Sequence, residues 1–274
     1  MNWLESLIYG LISGLTDILP ISSQAHQQLM LQFFGQSQRD YVRDLFVHIA
    51  LFLAVYTGCR TIIDHFHREQ SLYQRNRRNA RGSGGLLEMR VLKNAAIPMV
   101  LGIVILSYIL GTQLNPVLVC LFLLINGFIL FAPDRMMQGN KDQRFMSGLD
   151  CLLLGFGGAL SMLTGISRTG AMLSVLTMRG VRKNSALNWV LLLSIPALAT
   201  MASLDLLYII FGDQGMPFWA SFGGYILSFV GTFLGARLGI FIMKSLSQRS
   251  GYTGFAFYSW GVALFMFILY LTVV

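Results

Sequence analysis

Two long apolar stretches of the chain are each interrupted near the middle by a polar turn. The first runs from residue 4 to residue 34 and is broken by Leu-Pro-Ile-Ser-Ser at 19–23. The second runs from 148 to 178 and is broken by Thr-Gly-Ile-Ser-Arg-Thr-Gly at 164–170. Each arm has about four helical turns, too few to cross a hydrocarbon core about 30 Å thick. Because non-helical backbone at this depth survives only inside protein or beside a wet cavity, the pattern predicts two re-entrant helical hairpins.

The composition places these hairpins in a membrane. Only 12% of the 274 residues are charged and the mean hydropathy is +0.63, whereas soluble proteins carry about a quarter charged residues. No polar linker separates two soluble cores, so we expect a single membrane domain, 1–274, of an all-α polytopic protein. Apolar runs of sufficient length predict six spanning helices, at roughly 45–63, 94–111, 116–132, 186–211, 218–243 and 253–273.

The positions of the basic residues predict the orientation. If each hairpin returns to the face that it enters, four connecting segments and Arg60, at a helix end, share one face, which holds sixteen of the twenty Lys and Arg residues. The opposite face carries only Arg39 and Arg43. Short cytoplasmic loops are enriched in Lys and Arg, so the basic face is cytoplasmic and both termini lie outside. The four basic segments are 64–93, 133–147, 179–185 and 244–252.

Each half of the chain then contains one hairpin followed by three spans. An odd number of spans gives the two halves opposite orientations, so the hairpins enter from opposite faces and their tips can meet near the midplane. The first repeat is 1–132, with hairpin 4–34, and the inverted second repeat is 148–274, with hairpin 148–178. Inverted repeats with broken helices at the centre are typical of secondary transporters.

The distribution of charge and the pattern of cysteines argue against nucleic-acid-binding proteins, disulfide-stabilised proteins and proteins with a cysteine metal site. The formal net charge is +8, but the basic residues sit in short loops, as expected of loops that face anionic lipid. The strongest basic cluster, at 75–81, has no interleaved aromatic residues, which argues against nucleic-acid binding. The three cysteines lie in or beside apolar runs and match neither a disulfide framework nor a metal motif.

Ionisable residues inside the predicted membrane segments are candidates for function, because their burial in a bilayer is costly. The guanidinium of Arg168 is a planar, permanently charged fork that suits phosphate, and a helix N-terminus offers backbone N–H groups to an anion. The hairpin tips therefore predict a phosphate-sized pocket with a hydroxyl nucleophile and an imidazole. Its polar residues are Asp17, Ser22, Ser23 and His26 in hairpin one and Ser167, Arg168 and Thr169 in hairpin two.

Structural roles for the same residues stay open at this point. The two serines of hairpin one could cap its second arm, and Arg168 could do no more than neutralise Asp17. His48 lies on an apolar helix, where packing is the more common role of a histidine. Asp205 and Arg237 could form a structural ion pair between two spans.

Both hairpin tips resemble known signatures. Residues 13–26, Ser-Gly-Leu-Thr-Asp-Ile-Leu-Pro-Ile-Ser-Ser-Gln-Ala-His, are similar to the first signature of the bacterial undecaprenyl-diphosphate phosphatases, the bacitracin-resistance proteins. That signature runs roughly E-G-L-T-E-F-L-P-(V/I)-S-S-T-G-H. Residues 164–171, Thr-Gly-Ile-Ser-Arg-Thr-Gly-Ala, resemble the second signature, P-G-x-S-R-S-G-A. The stretches 44–55 and 185–196 also fit, so the resemblance covers essentially the whole chain.

The resemblance implies a hydrolase of the bacterial inner membrane that dephosphorylates a polyprenyl diphosphate to the monophosphate carrier of cell-wall synthesis. Ser23 matches the nucleophile, His26 its acid–base neighbour, and Asp17 a metal-binding or acid–base group. The implied cofactor is a divalent cation, Mg²⁺ or Ca²⁺. The implied partners are the substrate and membrane lipids, and a homodimer is compatible with the resemblance. Arg168 is implied as both catalytic and diphosphate-binding, and the other residues implied to bind substrate are Ser22, Ser167, Thr169, Gly170 and His48.

The chain departs from the family pattern where carboxylates are expected. Ser13 replaces the first signature glutamate, Asp17 shortens the second, and Asn188 stands where a glutamate often occurs. One carboxylate can still hold a hard cation together with substrate phosphates. A phosphatase is favoured by the intact serine, histidine and arginine positions. A non-hydrolytic binder or transporter of polyprenyl phosphates on the same scaffold is favoured by the missing glutamate.

Overall fold

The computed structural model describes residues 1–36, 39–75, 84–110, 115–136, 139, 141, 146–212, 218–249 and 251–273. Within these ranges the regular structure is helical, apart from an isolated bridge between Lys141 and Val181. The all-α prediction is confirmed. The α-helices are α1 (Trp3–Ile18), α2 (Ser23–Phe33), α3 (Tyr41–Gly58), α4 (Arg60–Arg75), α5 (Gly84–Leu110), α6 (Pro116–Arg135), α7 (Gly148–Ala159), α8 (Arg168–Met178), α9 (Lys183–Phe211), α10 (Phe218–Arg249) and α11 (Thr253–Val273).

Six of these helices, α3, α5, α6, α9, α10 and α11, are long and apolar enough to cross a bilayer. The six predicted spans are therefore confirmed, although several of their ends differ. The first span begins at Tyr41 and ends at Gly58, several residues before its expected bounds at both ends. A capping aspartate, Asp40, explains the early start, because it accepts from the backbone N of Arg43.

The two interrupted stretches form helical hairpins, α1 with α2 and α7 with α8, and a 3₁₀ turn at Leu160–Met162 lies before the second tip. The longest arm, α1, has 16 residues, or about 24 Å, which is shorter than the bilayer core. Both first arms begin with a capping box, Asn2 with Glu5 and Ser147 with Asp150. The reciprocal bonds satisfy the free N–H groups of each helix start.

The first arm of each hairpin packs on a span from the other half of the chain. Helix α1 packs chiefly on α10 and α7 chiefly on α5, while α3 packs on α9 and α6 packs on α11. Exchanged packing of this kind is what an inverted repeat would give. The predicted repeat boundaries themselves stay a prediction.

The backbones of α1 and α10 are in direct contact, which fixes the position of the first hairpin along α10. A Cβ at Gly10 would lie 2.2 Å from the carbonyl oxygen of Ser228, and one at Gly14 would lie 2.1 Å from that of Thr232. Small residues let membrane helices approach this closely. The Ser228 hydroxyl also donates to the backbone oxygen of Ser6 (3.0 Å). The polar tip at the end of α1 is therefore held at a defined position along α10.

The segment 64–93, expected as a cytoplasmic connection, is partly helical, because α4 begins at Arg60, inside the expected first span, and continues to Arg75. In α4, Ile62 and Ile63 pack against the protein core, while His67 and Arg68 are exposed. A helix with separate apolar and polar faces can lie along the protein without spanning the bilayer, and a search for long apolar runs does not detect it. The rest of the basic cluster, at 77–81, lies outside the described residues.

Candidate functional site

The tips of the two hairpins contact each other. The backbone N of Gly165 donates to the Ser22 hydroxyl (3.1 Å), and the Thr164 hydroxyl donates to the side-chain oxygen of Gln24 (3.2 Å). Ser22 has φ +67°, the one left-handed conformation of a non-glycine residue in the described ranges. A strained residue persists only where its surroundings hold it. Ser22 makes no side-chain cap on α2, so its hydroxyl joins the two tips rather than capping its own helix.

Arg168, the first residue of α8, is 3% exposed and reaches hairpin one. Its Nη2 donates to Oδ2 of Asp17 at 2.5 Å, so the pair considered from the sequence is present. Its Nε and Nη1 have no hydrogen-bond partner among the described residues. Burial of an unsatisfied donor is costly, and a single carboxylate leaves two such donors here. A bound anion would satisfy these two groups.

Ser23 begins α2, and its hydroxyl is held between the two arms of hairpin one. It donates to the backbone oxygen of Ser13 (3.2 Å) and accepts from the side-chain N of Gln27 (3.3 Å). The Ser13 hydroxyl, at the position of the first signature glutamate, is fully buried and has no partner within the described structure. The sequence did not indicate Gln27, because the signature ends at residue 26.

The other predicted residues of the second tip mainly position the backbone. The Ser167 hydroxyl caps α8 by accepting from the backbone N of Gly170 (3.1 Å), and the Thr169 hydroxyl donates to the backbone oxygen of Asp17 (3.0 Å). A Cβ at Gly170 would lie 3.2 Å from the side chain of Pro20. These contacts bring the second tip against the first and direct Arg168 toward it.

Asn126 of α6 connects the same elements and was missed from the sequence. It is fully buried, and its Oδ1 accepts from the backbone N of Ser167 (2.9 Å). Its Nδ2 donates to the backbone oxygen of Pro20 (3.2 Å) and to the hydroxyl of Ser259 (3.1 Å). A search limited to ionisable residues passes over a neutral amide, although an asparagine inside an apolar span was a usable signal.

Neither ring nitrogen of His26 bonds to Ser23 in the described structure. The Nδ1 of His26 lies 2.8 Å from the backbone oxygen of Ser22, and its Nε2 lies 2.9 Å from the hydroxyl of Tyr258. The two rings are stacked, with centroids 5.7 Å apart. A backbone oxygen can only accept, so Nδ1 carries the proton and Nε2 accepts from Tyr258. The acid–base role implied for His26 stays a prediction. Tyr258 was missed, because a tyrosine in an apolar span resembles a packing residue.

The side chains of hairpin one line two separate cavities. We name the first the tip cavity; its polar lining is Asp17, Ser23, Gln24, Gln27, His48, Ser161, Ser167 and Arg168. Its volume is about 20 Å³, enough for roughly one water molecule. A polar vestibule of about 340 Å³ adjoins it and shares Gln24 and Gln27 with it. A diphosphate therefore requires the tip cavity to open toward the vestibule.

The second cavity is an apolar groove of about 1070 Å³, which we name the apolar groove. Leu15 and Leu19 of hairpin one and Phe255 of α11 contribute to its wall, and His26 and Tyr258 also line it. No described residue lines both this groove and the tip cavity. The groove has the chemistry of a site for a hydrocarbon chain.

His48 of α3 is held by a carboxylate of α9. Its Nδ1 lies 2.5 Å from Oδ2 of Asp205, and the Arg39 guanidinium lies 3.8 Å from the other oxygen of that carboxylate. Arg39 also donates to Asp44. The ion pair considered between Asp205 and Arg237 is not formed, because Asp205 pairs with His48 and Arg39, while Arg237 is exposed.

The tip cavity offers few ligands for a divalent cation. No group of three or more His, Cys, Asp or Glu side chains that could hold a metal occurs in the described ranges. Asp17 is the one carboxylate among the described residues lining the tip cavity, and Arg168 occupies its Oδ2. The remaining Oδ1 fits an ion that is held mainly by the phosphates of a substrate.

Comparison with known proteins covers nearly the whole chain. The family model "BacA: Bacitracin resistance protein BacA" matches residues 6–265. Undecaprenyl-diphosphatase 1 of Shouchella clausii is 32% identical over 271 residues, 98% of this chain and 96% of the relative. Undecaprenyl-diphosphatase 2 of Halalkalibacterium halodurans is 29% identical over 282 residues, 98% and 97% of the two chains. The undecaprenyl-diphosphatase of Syntrophotalea carbinolica is 28% identical over 269 residues, 95% and 96%.

Proposed function

Because the chain belongs to the bacitracin resistance protein BacA family, as the resemblance of its hairpin tips predicted, we propose that it hydrolyses a polyprenyl diphosphate. The relatives carry the name undecaprenyl-diphosphatase, so undecaprenyl diphosphate is the substrate we propose. The products are then orthophosphate and the monophosphate lipid carrier used in cell-envelope synthesis.

The observation that carries this proposal is the buried, partly unsatisfied guanidinium of Arg168. Its Nε and Nη1 have no partner within the described structure, and the same small cavity is lined by the hydroxyl-bearing Ser23. A buried guanidinium with unpaired N–H groups suits a phosphate oxygen. An anion site beside a hydroxyl group is the minimum that a phosphatase with a serine nucleophile requires.

We assign the attack to Ser23. Its oxygen bonds to the terminal phosphorus, the bond from that phosphorus to the bridging oxygen breaks, and the lipid monophosphate leaves with the electron pair. Water then attacks the phosphoserine, which releases orthophosphate and restores the Ser23 hydroxyl. Arg168 balances the charge on the phosphoryl group in both steps, since phosphoryl transfer depends chiefly on positioning and charge neutralisation.

We further propose that a divalent cation, Mg²⁺ or Ca²⁺, binds together with the diphosphate. Asp17 would hold it through the carboxylate oxygen that Arg168 leaves free, with substrate oxygens completing the coordination. Such an ion supplies additional neutralisation of the phosphate charge. The loss of the first signature carboxylate at Ser13 predicts that the free protein binds the ion weakly.

The apolar groove provides room for the prenyl chain of the same substrate. It is about 1070 Å³ in volume and borders the first hairpin through Leu15, Leu19 and Ile21. Burial of a hydrocarbon chain along these side chains is favourable in proportion to the apolar area removed from water. We therefore place the diphosphate in the tip cavity and the chain in the groove, with the substrate passing the first tip, where Ile21 lines the groove and Ser23 lines the tip cavity.

Release of orthophosphate from undecaprenyl diphosphate by the purified protein tests the proposal. We expect release in detergent micelles that rises with added Mg²⁺ or Ca²⁺ and falls with a chelator. An Arg168→Ala preparation serves as the background for contaminating phosphatases. Lipid binding without phosphate release under every cation condition would favour the non-hydrolytic binder or transporter, the alternative that the missing carboxylate at Ser13 supports.

The orientation is part of the same proposal, with the basic loops cytoplasmic and both termini outside. Ser71 of α4 is exposed, and Asn115 precedes α6 at the opposite end of the spans. The native cysteines Cys59, Cys120 and Cys151 are buried, so they provide a low background for labelling. An impermeant thiol reagent should label Asn115→Cys in intact cells and label Ser71→Cys only after lysis. The reverse pattern would invert the proposed orientation.

A further inference from the structure

Two imidazoles lie near hairpin one, and only His48 lines the tip cavity. Both ring nitrogens of His26 are engaged, and this side chain lines the apolar groove. His48 lines the tip cavity together with Ser23 and Arg168. The other titratable group there, Asp17, is bound to Arg168. Within the described lining of this cavity, His48 is the side chain best able both to accept and to return a proton.

Asp205 determines which ring nitrogen of His48 can accept and return a proton. The carboxylate lies 2.5 Å from Nδ1, and both side chains are largely buried, with 13% of His48 and 5% of Asp205 exposed. An ionised carboxylate only accepts, so Nδ1 carries a proton and Nε2 is left as the proton acceptor. The arrangement resembles other catalytic histidines whose second nitrogen is held by a carboxylate.

Other charged groups around His48 come from several elements. Asp44 lies one turn earlier on α3, and Arg39, just before that helix, contacts both Asp44 and Asp205. Across the tip cavity are Asp17 of α1 and Arg168 of α8. Helix α10, which also packs on α3, contributes no described residue to the lining. Arg39 places a positive charge beside both Asp44 and Asp205. Asp205 therefore has a cationic partner even when the His48 imidazole is neutral.

We propose that His48 is the general base of this phosphatase and that Asp205 is its positioning residue, an inference that rests on the proposed function. As the Ser23 oxygen bonds to phosphorus, the Ser23 proton passes to Nε2 of His48, and His48 then gives it to the departing lipid monophosphate. In the second half-reaction His48 accepts a proton from the attacking water. It returns that proton to the Ser23 oxygen as the phosphoserine bond breaks.

The pH dependence of turnover by full-length protein with undecaprenyl diphosphate tests the assignment. His48→Gln should lower kcat by roughly 10²–10⁴-fold with little change in KM, because a base acts in the chemical step. It should also remove the acidic limb of the pH profile, because glutamine does not titrate. Asp205→Asn should lower kcat by roughly tenfold or more, and Asp205→Glu should recover part of that loss, because it restores a carboxylate.

His67→Gln is the matched control, because His67 lies on the exposed face of α4, and its turnover should equal that of the starting protein. Should His48→Gln fail to purify as a folded protein, the comparison of Asp205→Asn with Asp205→Glu decides. Turnover of His48→Gln within twofold of the starting protein, or Asp205→Glu no better than Asp205→Asn, overturns the assignment. Absence of hydrolysis in the starting protein overturns the proposed function itself and this assignment with it.

Discussion

The tip cavity and the apolar groove border the same hairpin and differ in almost every respect. The tip cavity is about 20 Å³ and is lined by a carboxylate, a guanidinium, an imidazole and hydroxyl groups. The groove is about 1070 Å³ and is lined mostly by apolar side chains. An amphiphile with a compact charged head and a long hydrocarbon chain needs both kinds of site. The difference supports a lipid diphosphate as the substrate more directly than either cavity does alone.

Helix periodicity explains how one hairpin serves two such different cavities. Leu15 of α1 and Leu19, the residue just after α1, line the groove, while Asp17 lies on the face of α1 opposite Leu15 and lines the tip cavity. On α2, His26 points to the groove, and Gln27, one position later, lines the tip cavity. Two short helical arms are therefore sufficient to separate the charged side chains of the tip cavity from the site proposed for the hydrocarbon chain.

The largest effect should come from the nucleophile of the tip cavity. Ser23→Ala removes the attacking oxygen and should lower kcat on the order of 10⁴-fold, as expected for loss of a nucleophile. Ser194→Ala is a matched control, because Ser194 is buried in α9 and its hydroxyl bonds only its own helix backbone. Orthophosphate release by the two variants should differ by this factor. Similar rates would remove Ser23 from the mechanism.

A smaller effect is expected at the anion site. Arg168→Lys keeps the positive charge but cannot hold Asp17 and a phosphate oxygen at once with the planar, directional donors of a guanidinium. We expect kcat/KM to fall by roughly 10²-fold, with weaker binding of a non-hydrolysable diphosphate lipid measured by titration. Unchanged binding and turnover would mean that Arg168 only joins the two tips.

The smallest effect should come from the groove, and it should depend on the substrate. Leu15→Trp narrows the groove, so KM for undecaprenyl diphosphate should rise by roughly tenfold, the equivalent of about 1.4 kcal/mol of binding. A short substrate, farnesyl diphosphate, should be much less affected, because it buries less chain. An equal rise in KM for both substrates would place the chain elsewhere and break the comparison between the two cavities.

The sequence was sufficient for the elements that long apolar runs define. The six spans and both hairpins follow from such runs and from the polar turns at 19–23 and 164–170. The expected opposite entry of the two hairpins predicted that their tips could meet, and the observed pairing of Asp17 with Arg168 was one of the roles that the sequence left open. These features depend on which segments cross the bilayer and in which direction, and both are encoded locally.

Contacts between spans could not be predicted in the same way. His48 and Asp205 are 157 residues apart, and their pairing depends on how α3 and α9 are rotated against each other. Spanning helices are apolar toward lipid and protein alike, so the apolar pattern does not fix that rotation. The same reason hid the contact between His26 and Tyr258, which changes the environment expected for His26.

The most direct test of hydrolysis in the tip cavity is the rate of orthophosphate release by Asp17→Asn. Asparagine keeps the shape and can still accept a hydrogen bond from Arg168, so the folded tips should persist while the charge is lost. We expect release from undecaprenyl diphosphate to fall by roughly 10²–10⁴-fold, with lipid binding retained. Hydrolysis by Asp17→Asn at the rate of the starting protein would contradict a phosphatase centred on the tip cavity.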